Sequence, residues 1–187
     1  GPESFTPDTN TLIGEVPEIK NFFACCGLNS IGIGSGGGVG KVAAEWLING
    51  HINEDIFCYD IKRFQKFHSD LGFIKNRITE TLGDLYGMHW PFKQHKTSRN
   101  QKLTPYHNEM KEAGACFGVS GGYERPMWYA INGQKPEYEY SYNYQNWYPA
   151  VEFETKNTRE NVGLYDLTAF SKYDLIGNNV HNELQRL

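Results

Sequence analysis

The chain of 187 residues suits one large domain or two small ones, and its 39% hydrophobic and 14% aromatic content is enough for a packed core. This composition excludes a disordered chain. A formal net charge of −4, without any cluster of lysine and arginine, excludes a nucleic-acid-binding surface. No apolar run approaches the roughly 18 residues that a membrane-spanning helix needs.

The N-terminal residues 1–18 contain three prolines and turn-forming sequences, so they predict an extended, turn-rich segment. An apolar strand follows over residues 21–26. We then expect a glycine-rich loop and a helix over residues 38–49, which stops at Asn49-Gly50. A strand, a glycine loop and a helix in this order bring backbone N–H groups and the positive end of a helix dipole to an anionic ligand.

Two of three possible interpretations of the glycine loop stay open at this point. Gly32, Gly34 and Gly37 fit the dinucleotide-binding pattern G-x-G-x-x-G, although no strand ending in an acidic residue follows about 20 residues later. A phosphate-binding P-loop is excluded, because Ser35 and Val42 occupy positions that need Gly and Ser or Thr. Alternatively, the glycines only let the loop turn tightly against the sheet.

The remaining elements alternate between helical and extended patterns. Asp60 is a plausible N-cap for a short helix over residues 60–67, and Ser69-Asp70 opens a longer amphipathic helix. Its apolar stripe comprises Leu71, Ile74, Ile78, Leu82, Leu85 and Tyr86. After a polar surface crossing at 93–102 we expect a helix at 106–113, strands near 116–119 and 127–131, a helix at 149–162, strands at 164–170 and 173–176, and a final helix after Gly177. The sequence therefore predicts a mixed α and β fold.

The four cysteines show no C-x-x-C spacing. Cys25 and Cys26 lie inside the apolar strand, where we interpret them as small buried hydrophobic residues. This usage indicates a reducing compartment. The chain begins without a methionine and ends within a helical pattern, so we expect it to be part of something longer.

Isolated polar residues offer little catalytic chemistry. The six histidines show no metal-ligand spacing, so we predict no metal site. His89 has aromatic neighbours in sequence and is better explained as a packed or hydrogen-bonded structural histidine. Ser30 lacks the G-x-S-x-G elbow of hydrolases.

Two further stretches combine charged and aromatic residues. We interpret Glu124 and Arg125 as an internal pair that fixes a turn at Pro126. The tyrosine-rich run 138–148 could stack nucleic-acid bases, but its glutamates would repel phosphate, and an aromatic contact between domains explains it better.

Several separate motifs, in order along nearly the whole chain, are similar to one family. The runs Gly1-Pro2-Glu3-Ser4-Phe5-Thr6-Pro7-Asp8, Cys26-Gly27-Leu28-Asn29-Ser30-Ile31-Gly32 and Ala44-Glu45-Trp46 resemble the end of the flavin domain in dimethylglycine and sarcosine dehydrogenases. Met88-His89-Trp90-Pro91-Phe92 and Tyr123-Glu124-Arg125-Pro126 resemble that family's central domain. Val162-Gly163-Leu164-Tyr165-Asp166-Leu167-Thr168 resembles the opening of its aminomethyltransferase-type folate domain.

The resemblance implies a domain organisation within an α+β, or mixed α/β, chain. Residues 1–59 would be the end of a D-amino-acid-oxidase-like FAD domain. Residues 60–148 would form the small central α+β domain. Residues 149–187 would begin the folate-binding domain.

The same resemblance implies a flavoenzyme that oxidises an N-methyl group of dimethylglycine or sarcosine to an iminium and passes the one-carbon unit to tetrahydrofolate. Its partners would be the amine substrate and an electron acceptor, either an electron-transfer flavoprotein or oxygen. It would lie in the mitochondrial matrix of a eukaryote or the cytoplasm of a bacterium. No catalytic residue is assigned within this chain, which by itself is expected to be inactive.

The residues that the resemblance places beside the isoalloxazine ring of FAD are Leu28, Asn29, Ser30, Ile31, Gly32 and Ile33. We expect them to meet the ring through their backbone. The same motifs also occur in the regulatory subunit of pyruvate dehydrogenase phosphatase, an interaction protein, and do not separate the two functions. A non-catalytic regulatory role is therefore the alternative.

Overall fold

The computed structural model describes residues 2–186 and confirms the mixed α/β class. The chain divides into two compact units. The first comprises Gly1–Gln101 with Glu139–Gln145, and the second comprises Lys102–Tyr138 with Asn146–Leu187. Within the described range, no helix combines the length and the apolar character needed to cross a bilayer.

The first unit opens with a two-stranded antiparallel hairpin of β1 (Leu12–Glu15) and β2 (Phe23–Cys26). The first strand was not predicted, since the prolines of residues 1–18 favoured an irregular segment. Ile13, in its centre, is almost completely buried and donates its N–H to the carbonyl of Tyr59 at 2.9 Å. This bond fixes the hairpin to the segment that follows the first helix.

The second strand lies where the sequence predicted it, but its environment differs. Cys25 and Cys26 are both exposed, so the prediction that they are buried hydrophobic residues is wrong. Among the described strands, β2 pairs only with β1, which leaves its other edge open.

The long helix α1 (Gly32–Asn49) begins six residues earlier than predicted. The glycines at 32, 34, 36, 37, 38 and 40 are therefore helical, and the prediction of a glycine loop is wrong. The predicted stop is confirmed, because Gly50 adopts a left-handed backbone with φ of 75° and donates its N–H to the carbonyl of Trp46. The Trp46 ring packs edge-on against Phe23, with ring centres 5.6 Å apart, and so anchors the C-terminal half of the helix on the hairpin.

Two short 3₁₀ helices, Ile61–Arg63 and Lys66–Ser69, replace the single helix predicted over residues 60–67. The side chain of Asp60 accepts a hydrogen bond from the N–H of Lys62, which confirms it as an N-cap. Asp70 caps the next helix, α2 (Leu71–Leu85), in the same way through the N–H of Phe73.

The buried face of α2 is not the predicted apolar stripe. Phe73, Arg77 and Thr81 are its buried residues, whereas Leu71 is exposed. Arg77 is buried because its guanidinium donates to the carbonyl of Thr97 at 2.6 Å. Residues 93–98, part of the polar stretch 93–102 that was predicted as a surface crossing, thus contact the helix and help to select its buried face.

The second unit is organised around the antiparallel hairpin of β3 (Ala115–Ser120) and β4 (Tyr123–Tyr129), preceded by the short helix α3 (His107–Glu112). Gly121 and Gly122 both have positive φ and form the turn between the strands. The predicted turn at Pro126 is therefore wrong. Pro126 lies within β4, opposite Phe117 and beside an irregularity in the strand register, where its missing N–H is tolerated.

The helix α4 (Tyr148–Glu160) confirms the helix predicted over 149–162, and α5 (Val180–Leu184) confirms the final one. Residues 164–170 and 173–176 are not strands, contrary to prediction. The ammonium group of Lys172 instead donates to the carbonyls of Leu167, Thr168 and Phe170, which curls this segment on itself.

Several aromatic residues of the run 138–148 pack against aromatic residues of their own unit. In the first unit, Tyr142 stacks on Trp90 with ring centres 4.6 Å apart. In the second unit, Tyr138 contacts both Trp128 and Trp147 edge-on. Trp128 is 1% exposed and forms the centre of that core.

Replacing Asp70 by alanine should lower the free energy of unfolding by about 1 kcal/mol, because the first turn of α2 would lose its side-chain cap. The midpoint of urea unfolding, followed by tryptophan fluorescence, measures this loss. Asp174→Ala, at an exposed position, is the control and should leave the midpoint unchanged. Equal midpoints for both variants would contradict the capping role.

Candidate functional site

The turn that joins β2 to α1 comprises Gly27–Ile31, and we call it the 27–31 turn. Gly27, Asn29 and Ser30 have φ of 67°, 48° and 64°. A positive φ is strained for residues other than glycine, by about 1–3 kcal/mol each, so the surrounding structure must hold the backbone in place. The N–H of Ile31 donates to the carbonyl of Leu28 at 3.0 Å and closes the turn.

The side chain of Asn29 is the internal support of this turn. Asn29 is 1% exposed, and its Oδ1 accepts a hydrogen bond from the N–H of Thr6 at 2.8 Å. Its Nδ2 donates to the carbonyl of Gly27 at 2.6 Å and to the hydroxyl of Thr6 at 3.1 Å. The polar atoms of Asn29 are thus used inside the protein.

The other five residues predicted to face the flavin differ in their solvent exposure. Leu28 and Gly32 are half-buried, whereas Ser30, Ile31 and Ile33 are exposed. The Ser30 hydroxyl donates to the carboxylate of Glu3. The six predicted residues therefore occupy one continuous turn and the first helical turn of α1, and of the six only Asn29 is buried.

The N-terminus of α1 carries the electrostatic character of the site. Ile31 is the N-cap residue, and no side chain caps the helix. The first amides of a helix lack partners within the helix, and the helix dipole places about half a unit of positive charge there. Six of the first nine helical residues are glycines, each costing about 1 kcal/mol relative to alanine in a helix interior.

These glycines leave the helix surface open. A Cβ built at Gly34, Gly36, Gly37, Gly38 or Gly40 meets no atom within 4 Å. None of the residues of α1 is buried. Of the three interpretations of the glycines, tight turning is wrong, because all six lie within the helix. The dinucleotide-binding interpretation is wrong as well, because that motif follows a strand of a parallel sheet, whereas β2 pairs antiparallel with β1. In addition, the glycines of the pattern lie in α1, after the turn, and do not form the turn.

Sequence reasoning missed the residues that support the turn from behind. Arg63 donates to both carboxylate oxygens of Asp8, at 2.7 and 3.1 Å, and the Thr6 hydroxyl lies 3.2 Å from the same carboxylate. Thr6 is 2% exposed. The Thr6-Pro7-Asp8 sequence was interpreted only as a turn, and no local pattern connects it to Arg63, which lies 55 residues after Asp8.

A second polar cluster lies on α2. Ligand atoms of Glu80, Asp84 and His95 lie within 4.8 Å of one another, a grouping that the histidine spacing did not predict. The Glu80 carboxylate accepts hydrogen bonds from the backbone N–H groups of Lys96 and Thr97 and from the Thr97 hydroxyl. Asp84 forms an ion pair with Lys93 at 2.5 Å. The hydrogen bonds and the ion pair of these carboxylates are all made with residues 93–97. The cluster therefore holds this segment against α2.

Burial and hydrogen bonding shift the pKa values in this cluster. Burial lowers the pKa of His95, and the nearby positive charge of Arg77 adds to this effect. Burial alone would raise the pKa of Glu80, but its hydrogen bonds with Thr97 and Lys96 outweigh burial and hold the pKa below its usual value.

Two cavities lie in the first unit. One of about 330 Å³ is lined by charged and aromatic side chains, including Asp84, Trp90 and His95. His89 also lines it and is exposed, so it is not a packed histidine, and a hydrogen-bonded structural role stays a prediction. The other, of about 720 Å³, is more apolar and lies behind Thr6, between Leu12, Phe64 and Ile74.

Comparison with known protein families places two domain types on this chain. Residues 49–104 match the FAD dependent oxidoreductase central domain, and residues 106–187 match the GCVT N-terminal domain. The chain belongs to the dimethylglycine and sarcosine dehydrogenase family.

Individual relatives cover most of this chain. It is 45% identical over 176 residues to 4-methylaminobutanoate oxidase (formaldehyde-forming) of Paenarthrobacter nicotinovorans. The aligned stretch covers 94% of this chain and 21% of that protein. It is 40% identical over 143 residues to human mitochondrial sarcosine dehydrogenase, covering 76% of this chain and 16% of the relative. It is 30% identical over 182 residues to the mouse mitochondrial pyruvate dehydrogenase phosphatase regulatory subunit, covering 93% of this chain and 20% of that subunit. The chain therefore spans about a fifth of the length of these relatives.

Acid should destabilise the first unit in two stages. The unfolded chain takes up protons near the ordinary histidine value of 6.5, whereas folded His95 and His68 have lowered pKa values, so stability falls as the pH drops below 6.5. The lowered pKa of Glu80 adds a further loss below its ordinary value of 4.5. Urea midpoints measured at about pH 7, 5.5 and 4 test both stages.

Glu80→Gln should weaken the second stage, because the group that titrates there is gone. Glu152→Gln is the control. Glu152 also has a lowered pKa, from its hydrogen bond and ion pair with Lys156, but this exposed i, i+4 pair contributes little stability. An unchanged loss of stability below pH 4.5 in Glu80→Gln would contradict the assignment to Glu80.

Proposed function

We propose that the protein carrying this chain is an FAD-dependent oxidoreductase that demethylates an N-methylated amino acid, and that residues 28–33 face its flavin. The uncapped, glycine-rich N-terminus of α1, directly after the strained 27–31 turn, is the observation that carries the proposal. In this proposal residues 1–59 complete a D-amino-acid-oxidase-like FAD domain. The domain boundaries at residues 59/60 and 148/149 stay predictions.

The residues present fit a flavin. An isoalloxazine ring is flat and apolar at its faces, and its pyrimidine edge becomes electron-rich on reduction. The open surface over the α1 glycines admits a flat group closely, because no Cβ projects from those positions. The exposed side chains of Ile31 and Ile33 offer an apolar contact beside it.

Bound FAD would accept a hydride equivalent from the N-methyl carbon of the substrate. The chain's contribution is to bind and orient the ring and to stabilise negative charge. The first amides of α1 would donate hydrogen bonds to the electron-rich edge, and the positive end of the helix dipole would favour the reduced, anionic form. Ile31 and Ile33 would exclude water from the ring. No residue of this chain is proposed to transfer a proton.

Tetrahydrofolate as the acceptor of the one-carbon unit is the second part of the proposal, supported by the GCVT match over residues 106–187. The relative named as formaldehyde-forming supports the opposite possibility, in which the carbon unit is released. We propose a small N-methylated amino acid as the substrate, and either an electron-transfer flavoprotein or oxygen as the electron acceptor. The mitochondrial names of two relatives and the bacterial source of the third support a matrix or a cytoplasmic location, respectively.

A non-catalytic regulatory role is the second candidate. The similarity to the pyruvate dehydrogenase phosphatase regulatory subunit covers 93% of the chain at 30% identity. The higher identities to the oxidase and to sarcosine dehydrogenase favour the enzyme.

The full-length protein should be yellow when purified, and its flavin absorbance should bleach anaerobically on adding a substrate. Sarcosine, dimethylglycine and 4-methylaminobutanoate are the three substrates to compare. Formaldehyde measured with and without tetrahydrofolate tests the second part of the proposal, since folate should lower its yield. A colourless protein that is inert to all three amines and changes the activity of pyruvate dehydrogenase phosphatase would establish the regulatory role.

Gly32→Val should weaken flavin retention about tenfold, or ~1.4 kcal/mol, in the full-length protein. A Cβ at Gly32 already lies 3.2 Å from Leu28 Cδ1, so a branched side chain must displace Leu28 or project where the flavin approaches. Ser30→Ala is the control and should retain flavin within about twofold, because the Ser30 hydroxyl bonds only to Glu3 in the contacts described. Equal flavin content in Gly32→Val and wild type would contradict this placement of the ring.

A further inference from the structure

We propose that Arg63 is a positioning residue for the flavin-facing turn and acts on it through Asp8, Thr6 and Asn29. These four side chains form a continuous hydrogen-bonded path, which we call the relay. The proposal rests on the proposed function, because it assigns the relay the task of holding residues 28–33 against a flavin.

The relay ends at Asn29, in a backbone segment whose conformation must be stabilised by its surroundings. Asn29 and Ser30 are consecutive residues with positive φ, and neither is glycine. A chain released from its surroundings would leave this conformation, since it is disfavoured for residues with a Cβ. Anything that removes the contacts of Asn29 therefore changes the direction in which the first amides of α1 point.

Asn29 is held on three sides. Its own N–H donates to the carbonyl of Ser4 at 3.2 Å, its Oδ1 accepts from the N–H of Thr6, and its Nδ2 donates back to Gly27 within the turn. The contact is also sterically close, because a Cβ built at Gly27 would lie 2.6 Å from Thr6 Cγ2. The position of Thr6 thus decides the position of the turn.

Thr6 is in turn held by Asp8 and Arg63. The Thr6 hydroxyl lies 3.2 Å from Asp8 Oδ1 and 2.9 Å from the carbonyl of Asn10. Arg63 contacts Asp8 through two nitrogens and also donates to the carbonyl of Asn10 at 2.9 Å. Such a two-pronged contact fixes geometry as well as charge.

Arg63 itself is rigidly placed. Its side chain is 8% exposed, and it donates to the carbonyls of Tyr59 and Asp60 at 2.9 and 3.1 Å. Its charge is balanced by Asp8, so its effect on a flavin passes through the geometry of the turn and not through a direct electric field. Because Arg63 lies within the stretch that matches the central domain, that domain sets the backbone beside the flavin.

A matched pair of substitutions at Thr6 tests the relay in the full-length protein. Thr6→Val keeps the shape of the side chain and removes the hydroxyl, whereas Thr6→Ser keeps the hydroxyl. We expect amide hydrogen exchange over residues 27–33 to accelerate about tenfold in Thr6→Val and to stay near the wild-type rate in Thr6→Ser. This measurement does not depend on bound flavin.

Arg63→Met tests the far end of the relay, and Lys62→Met is its control, because Lys62 is exposed and next to Arg63. The midpoint potential of the flavin is the second readout. Misdirected amides should stabilise the reduced flavin about tenfold less, which lowers the two-electron potential by about 30 mV. Lys62→Met should leave both exchange and potential unchanged.

The possible failures are distinguishable. Accelerated exchange in Thr6→Val and Arg63→Met together with a lowered potential supports the proposal. Wild-type exchange in both variants contradicts the relay, whether or not flavin is present. Accelerated exchange with an unchanged potential contradicts the assigned role in positioning the turn for the flavin. A wild-type protein without flavin contradicts the proposed function, and the positioning role with it, even where the exchange data show that the relay holds the turn.

Discussion

The buried hydrogen bonds of Asn29 are the constraint on which the candidate site depends. They hold two consecutive residues in a left-handed backbone, and this strained turn sets where α1 begins. The helix cannot fix its own start, because its first nine residues include six glycines and no side chain caps it. Its packing anchor, the contact of Trp46 with Phe23, lies more than three helical turns away.

This arrangement separates the support of the site from the surface it presents. The polar side chains of Asn29, Thr6 and Arg63 are buried or nearly so, whereas the surface over the glycines carries amides and open space. Such a division suits a large, flat, electron-rich ligand. The ligand contacts backbone amides, which are the same whatever the residue, while the side chains on the opposite side of the turn determine the geometry of that backbone. The geometry of the turn and of the helix start therefore supports the flavin-facing role that was proposed from the family resemblance.

Much of the fold could be predicted from local sequence signals. The caps at Asp60 and Asp70 and the stop at Gly50 are confirmed, because each depends on a few neighbouring residues. The failures involve distant partners. The start of α1 depends on Thr6, more than 20 residues earlier, and the buried face of α2 depends on the carbonyls near Thr97. The apolar stretch 164–170 resembled a strand, but Lys172 satisfies its carbonyls locally. The candidate site was proposed from the family resemblance, and the relay behind it carries no local sequence signature.

The crystal structure of the full-length protein with its flavin is the measurement that tests the central claim most directly. Our account predicts the pyrimidine edge of the ring at hydrogen-bonding distance, about 3 Å, from one or both of the backbone nitrogens of Gly32 and Ile33. It also predicts that the Asn29 side chain points away from the ring, toward Thr6. A ring bound elsewhere, or an Asn29 side chain turned outward to contact it, would contradict the account.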